Sequence, residues 1–577
     1  MTRFLRLLWR GCWLTVAFGL IALAVLVTVA RLALPFASDY QERIEGVVGD
    51  YLGARVEATE LDLEWHRFGP RLRLDGVAIA HPGGDVIEFD RAFVDFRPEF
   101  SRRALRIHDV TLAGLDLAVR TDADAGILEF WGLRVDLEAW RDNPADALAA
   151  VAEAREEEAD VEPGAGLLGA LLAIEQLQLT DARIRVEQAN GDPQHIDLHD
   201  LRLVNRVHHH RLGLHVGLPA SWGRSLELSV DAHDLLRTDA TPRAQVYLEA
   251  RALAPAQWSG LFPTGEEWMR PVSGSVDFDL WADWSGDSLE GATLRLGASD
   301  LGLVRADHPE VRAENLEGLV AWEQRADGWQ LRGSDFRVEH AGGGWRAERF
   351  AIARDNEMWR GRADRVELAG LADWAHLLPA LDEHVARVSG LDARGRLEHP
   401  AFALAPGGAF QLTTGLRDVG WQPTLGWPGL DGLDGELRIT PRGGELDIAS
   451  EATTFNHVPF FRTPLYLERI EGPARLTRDG RGGWVIDAPD LVATNADIST
   501  HTRMRLELPA EGSPWLDMQV DFADGNVARK APYLPVGIMF PQLVSWLDDA
   551  IVDGDVPRGR MLFNGPTRDF PFKDRPG

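Results

Sequence analysis

Cysteine is almost missing from this chain of 577 residues. The one copy, Cys12, falls inside an uncharged N-terminal run, so neither a disulfide nor a cysteine metal site can support the remainder. Lysine is nearly missing too: only Lys530 and Lys573 occur, so 58 of the 60 basic residues (60 − 2) are arginine. Basic charge falls short of acidic charge, 60 residues against 90, for a formal net charge of −30. That deficit argues against nucleic acid as a partner, because phosphate binding needs basic surface. It argues equally against broad docking on anionic lipid head groups. The arginine bias, with abundant Ala, Gly and Asp, fits a GC-rich genome and an acidic surface solvated in salt.

Signatures of catalysis are lacking as well. There is no P-loop, nucleophile elbow, paired glycine-rich nucleotide fingerprint or H-E-x-x-H. Carboxylates are abundant, but nothing marks a pair whose pKa values a cleft would drive apart. His208, His209 and His210 form a triplet that invites a metal reading. Neighbours on a strand point to opposite faces, and no carboxylate lies within three residues, so a solvated loop or strand end is favoured. No catalytic residue, metal or cofactor is expected.

What is present begins with residues 11–30, uncharged and bounded by Arg10 and Arg31. About 20 helical residues span the roughly 30 Å core of a bilayer. Trp13, Leu20 and Leu26 belong to this run, and Arg3, Arg6 and Arg10 precede it, which puts the N-terminus in the cytoplasm. A cleaved signal peptide is the rival, but its apolar region is shorter and a small-residue cleavage site comes after it. The anchor reading places the body in the periplasm of a Gram-negative cell, on a single inner-membrane tether. Residues 39–52 then read as one short amphipathic helix, opened by Asp39 and Glu42 and ended by Gly53. It either caps the strands beyond it or simply packs.

From Arg55 the apolar period changes to two. Leu61, Leu63 and Trp65 alternate with acidic residues, and Leu72 and Leu74 with arginines. The pattern returns at Leu226, Leu228 and Val230, at Val276 and Phe278, and at Leu506 and Val520. Such alternation predicts strands of five to six residues with one apolar and one wet face. The apolar phase also flips repeatedly, close to Asp75, Asp109, Asp181 and Asp200. A flip exposes the apolar set unless the chain bulges there, and recurring bulges would curl a sheet into a trough. A tight Asp-Gly hairpin at each site is the alternative. Helices are few: 144–160 reads as a solvated acidic one, and Pro541 opens another with Leu543, Trp546, Leu547 and Ala550 on one face. Ten of the 20 tryptophans, from Trp222 to Trp374, crowd the middle third, where core packing is favoured over stacking on sugars or bases.

The anchor, the capped helix and the many phase-flipping strands resemble the AsmA-like superfamily of envelope proteins. The C-terminal cluster is sharper. Tyr533-Leu534-Pro535, the Pro541–Asp548 segment with Trp546 and Leu547, and Phe570-Pro571-Phe572 resemble the central region of the YhdP family. The resemblance implies a mainly β chain: a transmembrane helix, then a long curled, mostly antiparallel sheet forming a groove, the β-taco. It further implies bridge-like carriage of phospholipid acyl chains toward the outer membrane, with no catalytic residues. Members of the family are usually about twice as long, so this chain is expected to be an N-terminal piece. The resulting divisions are 1–10 cytoplasmic, 11–30 anchor, 38–140 first helix and strands, 141–170 acidic insertion, 171–532 repetitive sheet, and 533–577 the start of the central motif. The expected partners are phospholipid acyl chains, the inner membrane, and unidentified inner- and outer-membrane proteins. A scaffold or chaperone-like factor for outer-membrane protein assembly is the alternative; a hydrolase is disfavoured.

Overall fold

The computed structural model describes residues 55–569 apart from 137–173, 260–268, 378–388 and shorter stretches between elements, together with Thr28. The anchor at 11–30 apart from Thr28, the helix at 39–52, the acidic helix at 144–160 and Phe570–Phe572 lie outside the described residues. Among the described residues no helix is long and apolar enough to cross a membrane. The chain forms two compact units. One comprises Met1–Thr264 with Ser275–Glu290, the other Gly265–Gly274 with Gly291–Gly577.

The strands of the first unit are β1 (Arg55–His66), β2 (Gly69–Ala80), β3 (Val86–Glu99), β4 (Ala104–Ala113), β5 (Asp116–Asp122), β6 (Ile127–Phe130), β7 (Leu133–Asp136), β8 (Gln176–Gln188), β9 (Gln194–Arg206), β10 (His209–Gly217), β11 (Ser225–His233), β12 (Arg243–Leu253) and most of β13 (Arg270–Ser285). A short helix α1 (Pro255–Ser259) follows β12. β1 to β4 form an antiparallel meander, and so do β8 to β13. Between the two meanders the pairing is parallel: β4 and β5, end to end, both run alongside β8. Parallel neighbours need a long crossover. Here it is residues 123–175, which contain the β6–β7 hairpin and the segment expected as an insertion.

The second unit holds most of β14 (Ser288–Val304), then β15 (Val311–Arg325), β16 (Gly328–His340), β17 (Gly343–Asp355), β18 (Met358–Ala363), β19 (Arg365–Glu367), β20 (Arg394–Leu404), β21 (Phe410–Trp421), β22 (Gly429–Thr440), β23 (Gly443–Asn456), β24 (Leu465–Arg478), β25 (Trp484–Thr494), β26 (Ser499–Leu508), β27 (Trp515–Asn526) and β28 (Asp555–Pro566). Every neighbour from β14 to β28 is antiparallel, with β18 and β19 sharing β20 as partner. Helices α2 (Leu371–Ala375) and α3 (Pro541–Ala550) interrupt this run.

Most strands exceed the expected five to six residues; β15 has 15. The reason lies in the phase flips, which sit inside strands and not between them. Gly76 (φ +59°) interrupts β2 and Asp181 (φ +54°) interrupts β8 without ending either. At the other two sites the β3–β4 register slips by one residue at Asp95/Phe96, opposite His108, and the β9–β10 register slips at His215/Val216, opposite His199. No hairpin forms at any of the four: the two register slips are bulges, whereas at Gly76 and Asp181 a left-handed residue reverses the phase while the register is kept.

Packing follows consecutive strands. Leu61, Leu72, Leu74, Val77 and Ala92 form one buried cluster, joined by half-buried Leu63, Phe89, Val94 and Leu112, all from β1 to β4. In the second unit Leu416, Val419 and Leu433 do the same with Leu397, Leu430, Leu437 and Leu446.

Candidate functional site

Directly opposed residues on antiparallel strands place their side chains on one face. The registers can therefore be chained from strand to strand. In the first unit Leu179, Leu201, Leu214, Leu228, Leu248 and Leu280 stand in one line across β8 to β13. Beside it run Leu177, Leu203, Leu212, Val230, Val246 and Ala282. At about 4.8 Å per strand, each line extends roughly 24 Å at right angles to the chain direction.

The second unit carries a longer line. Ala292, Trp322, Leu331, Ile352, Gly361, Phe402, Leu412, Ile439, Gly444, Leu476, Ile486, Leu506, Leu516 and Gly565 are successive partners. No charged residue breaks it. Phe402 is 41% exposed and Leu476 38%, and the other large side chains of the line are half-buried. A second sheet closed over this face would bury them nearly completely. The surface is apolar, continuous across the strands and accessible.

Glycines keep it level. The Phe350 ring lies over Gly333, Phe402 over Gly361 and Phe522 over Gly559, each a direct cross-strand pair. A Cβ at these glycines would lie 2.0–2.2 Å from ring atoms. The rings thus lie down along the sheet where a side chain would otherwise prop them up.

The opposite face is ionic. Arg71 grips Asp95 with two bonds of 2.5 and 2.6 Å, and Arg251 meets Asp279 at 2.6 Å. Tyr247 donates to Glu249 at 2.7 Å, and that bond together with burial pushes its hydroxyl up to about 12. Arginine suits these cross-strand pairs because its planar fork matches a carboxylate.

The flips are held by a polar seam. Left-handed residues of neighbouring strands face each other: a Cβ on Gly395 would lie 2.2 Å from the Asp418 carbonyl, and one on Gly432 2.9 Å from that of Ala452. Asp418 (φ +51°) donates its amide to Asp434 Oδ1 at 2.8 Å, and the Asp434 amide donates to Ser450 Oγ at 2.7 Å. Asp364 accepts from the amides of Glu348 (3.0 Å) and Arg349 (3.1 Å). Burial by itself would raise that carboxyl, but the amide donors outweigh it and hold it below the usual range. Backbone groups released from the ladder are thereby paired, as burial demands.

Of the groove residues named from sequence, Leu228, Leu506, Leu226, Val230, Val276, Phe278 and Val520 are half-buried members of the alternating apolar face. Trp65 is half-buried too, whereas Leu61, Leu72 and Leu74, with Leu63 against them, are a packed cluster. Tyr533, Leu534 and Pro535 are half-buried, and the Tyr533 hydroxyl is tied to Asn495 (2.7 Å) and Asp497 (3.1 Å) beside the β25–β26 turn. The face of α3 differs from expectation. Leu543 (44%) and Trp546 (59%) are exposed, while Val544, Leu547 and Asp548 are half-buried. Asp548 is paired with Arg462 at 2.5 Å on the same side of the helix as Val544 and Leu547. Of the tryptophans, Trp222 (4% exposed) packs edge-on against Trp258, and Trp345 against Trp374, but Trp281, Trp284 and Trp359 are more than a third exposed.

Sequence reasoning missed the length of the apolar lines, since register is not local, and the glycine–phenylalanine pairs. A glycine at an in-phase strand position was the available signal for the latter.

Comparison with known proteins agrees with this arrangement. The chain is 24% identical to the intermembrane phospholipid transporter YhdP of Escherichia coli (strain K12) over 594 aligned positions, covering 98% of this chain and 43% of that protein. The chain thus spans less than half the length of that curated relative. No solved structure matches. The family model for the YhdP protein matches residues 1–577, so the alternation, the flips and the seated Tyr533 segment all fall within it, and the chain belongs to the YhdP family.

Proposed function

We propose that the protein is an inner-membrane-anchored periplasmic carrier that holds phospholipid acyl chains on its apolar sheet faces and passes them toward the outer membrane. The observation that carries this reading is the unbroken apolar line from Ala292 to Gly565, with Phe402 and Leu476 exposed on it. An acyl chain in water costs about 0.8 kcal/mol per exposed CH₂. A level apolar track removes that cost equally at each strand, so a lipid is held without a deep well. The activity of the E. coli relative, intermembrane phospholipid transport, supports the same substrate class. Arg3, Arg6 and Arg10 with the run 11–30 would tether the chain, and residues 39–52 would lie near the source leaflet. The role is carriage, with no chemistry on the lipid.

Photocrosslinking tests this. A benzophenone side chain at Leu228 or Leu506 of the full chain is expected to capture phospholipid in cells, and one at Glu227 or Arg505 on the wet face is not. Capture of polypeptide at Leu228 and Leu506 in place of lipid would favour a scaffold for outer-membrane protein assembly. Absence of lipid from both apolar positions in folded protein would sink the proposal.

A further inference from the structure

We propose that His209, Asp231 and His233 form a binding site for a divalent transition-metal ion of the zinc class on the wet face of the first unit. The β10–β11 register sets His209 directly opposite His233, and Arg211 opposite Asp231. These four share a face, because strand side chains alternate, while Leu212 and Val230 point to the other. Asp231 Oδ1 lies 2.7 Å from His209 Nε2 and 3.1 Å from His233 Nε2. All three donor atoms fall within 4.8 Å of one another. The two imidazoles are stacked, 4.2 Å apart and 7° from parallel. Donors on a tetrahedral zinc at about 2.0–2.1 Å are roughly 3.3 Å apart, so the three atoms already lie near the needed spacing, and the stacked rings must tilt out of parallel to aim both nitrogens at one ion.

The triplet itself supplies only one ligand. His210 turns to the opposite face, is 5% exposed, and meets Asn205 Oδ1 at 3.0 Å. His208 lies toward Asp234, at 3.9 Å. The convergence comes from the neighbouring strand, where two residues of alternate position, 231 and 233, meet His209.

Arg211 shapes the site. Its Nε is 2.8 Å from Asp231 Oδ2 and 3.2 Å from His209 Nε2. The guanidinium holds one carboxylate oxygen and leaves Oδ1 facing both imidazoles. His209 Nε2 cannot accept from Arg211 and donate to Asp231 at once. With a metal ion in place of a proton, Nε2 and Oδ1 both coordinate it, and Arg211 Nε keeps its bond to Asp231 Oδ2 alone. Imidazole nitrogen and one carboxylate oxygen are the donor set that zinc, nickel and copper take. Three protein donors leave a fourth position open on the solvent side, where His233 is 54% exposed.

The test is calorimetric titration of the full chain, in detergent, with zinc chloride. One equivalent is expected to bind with saturation, and cobalt in its place should give the visible absorption of a tetrahedral ion. Zinc should also raise the melting temperature, since it binds the folded form. Loss of an outer-shell partner alone weakens metal binding about 10–100-fold, so His233→Ala and Asp231→Asn should each weaken it by about 100-fold or more. His208→Ala should leave it unchanged. Wild-type protein that takes up no equivalent of zinc and gives no cobalt spectrum would overturn the assignment. So would binding that survives both His233→Ala and Asp231→Asn.

Discussion

Gly395 and Gly407 share almost the same backbone torsion, φ +89° and +86°, yet a side chain would meet very different surroundings. At Gly395 a Cβ lies 2.2 Å from the Asp418 carbonyl oxygen, whereas at Gly407 nothing lies within 4 Å. Gly407→Ala therefore carries only the left-handed strain, about 1 kcal/mol. Gly395→Ala adds a clash with backbone that cannot move aside, and should cost about 2–4 kcal/mol. Urea unfolding of the two variants should separate them in that order. Asp364 gives a pH signature at the same scale. Its folded pKa is depressed, so its stabilising contribution is complete above the unfolded value of about 3.9 and is lost as pH falls through the folded one. Asp364→Asn should thus lower the melting temperature at neutral pH, and the gap from wild type should narrow as pH drops below about 4.

Strands explain why some positions test function and others test folding. Leu63 and Leu228 look alike in sequence, each an apolar residue flanked by acidic or polar ones. Leu63 packs against the buried Leu61–Leu72–Leu74 cluster, so Leu63→Asp is expected to unfold β1 to β4. Leu228 stands half-buried in an accessible line, so Leu228→Asp should leave the sheet folded and abolish lipid capture at the neighbouring Leu248. Photocrosslinking at Leu248 with near-native circular dichroism checks both halves of that expectation. The alternation of Leu226, Leu228 and Val230 was legible because side-chain direction on a strand is local. The flips at Asp75 and Asp181 were legible for the same reason. The parallel pairing of β4 and β5 with β8, the meeting of His209 with His233, and the seat of α3 were not. Each depends on which distant segment lies alongside, and alternation carries no information about that.

At the scale of the whole chain, charge and apolar surface make opposing demands on membrane association. A net charge of −30 repels anionic head groups. Much of the arginine is occupied on the wet faces, as in the Arg71–Asp95 and Arg251–Asp279 pairs, and so is not presented as a basic patch. Attachment should then rest on the run 11–30, and deletion of residues 1–34 is expected to move the protein from the membrane fraction to the soluble one. Carbonate-washed membranes, probed for the truncated and full chains, measure this directly. The exposed apolar side chains make the result informative either way. Trp546 at 59% and Leu562 at 70% exposure lie in the α3 and β28 region. If the truncated chain stays on membranes that carbonate cannot strip, then these residues, or the sheet faces themselves, engage the bilayer. Trp546→Ser in the truncated chain would then release it if α3 is the contact, and would leave it bound if the apolar lines of the sheets are.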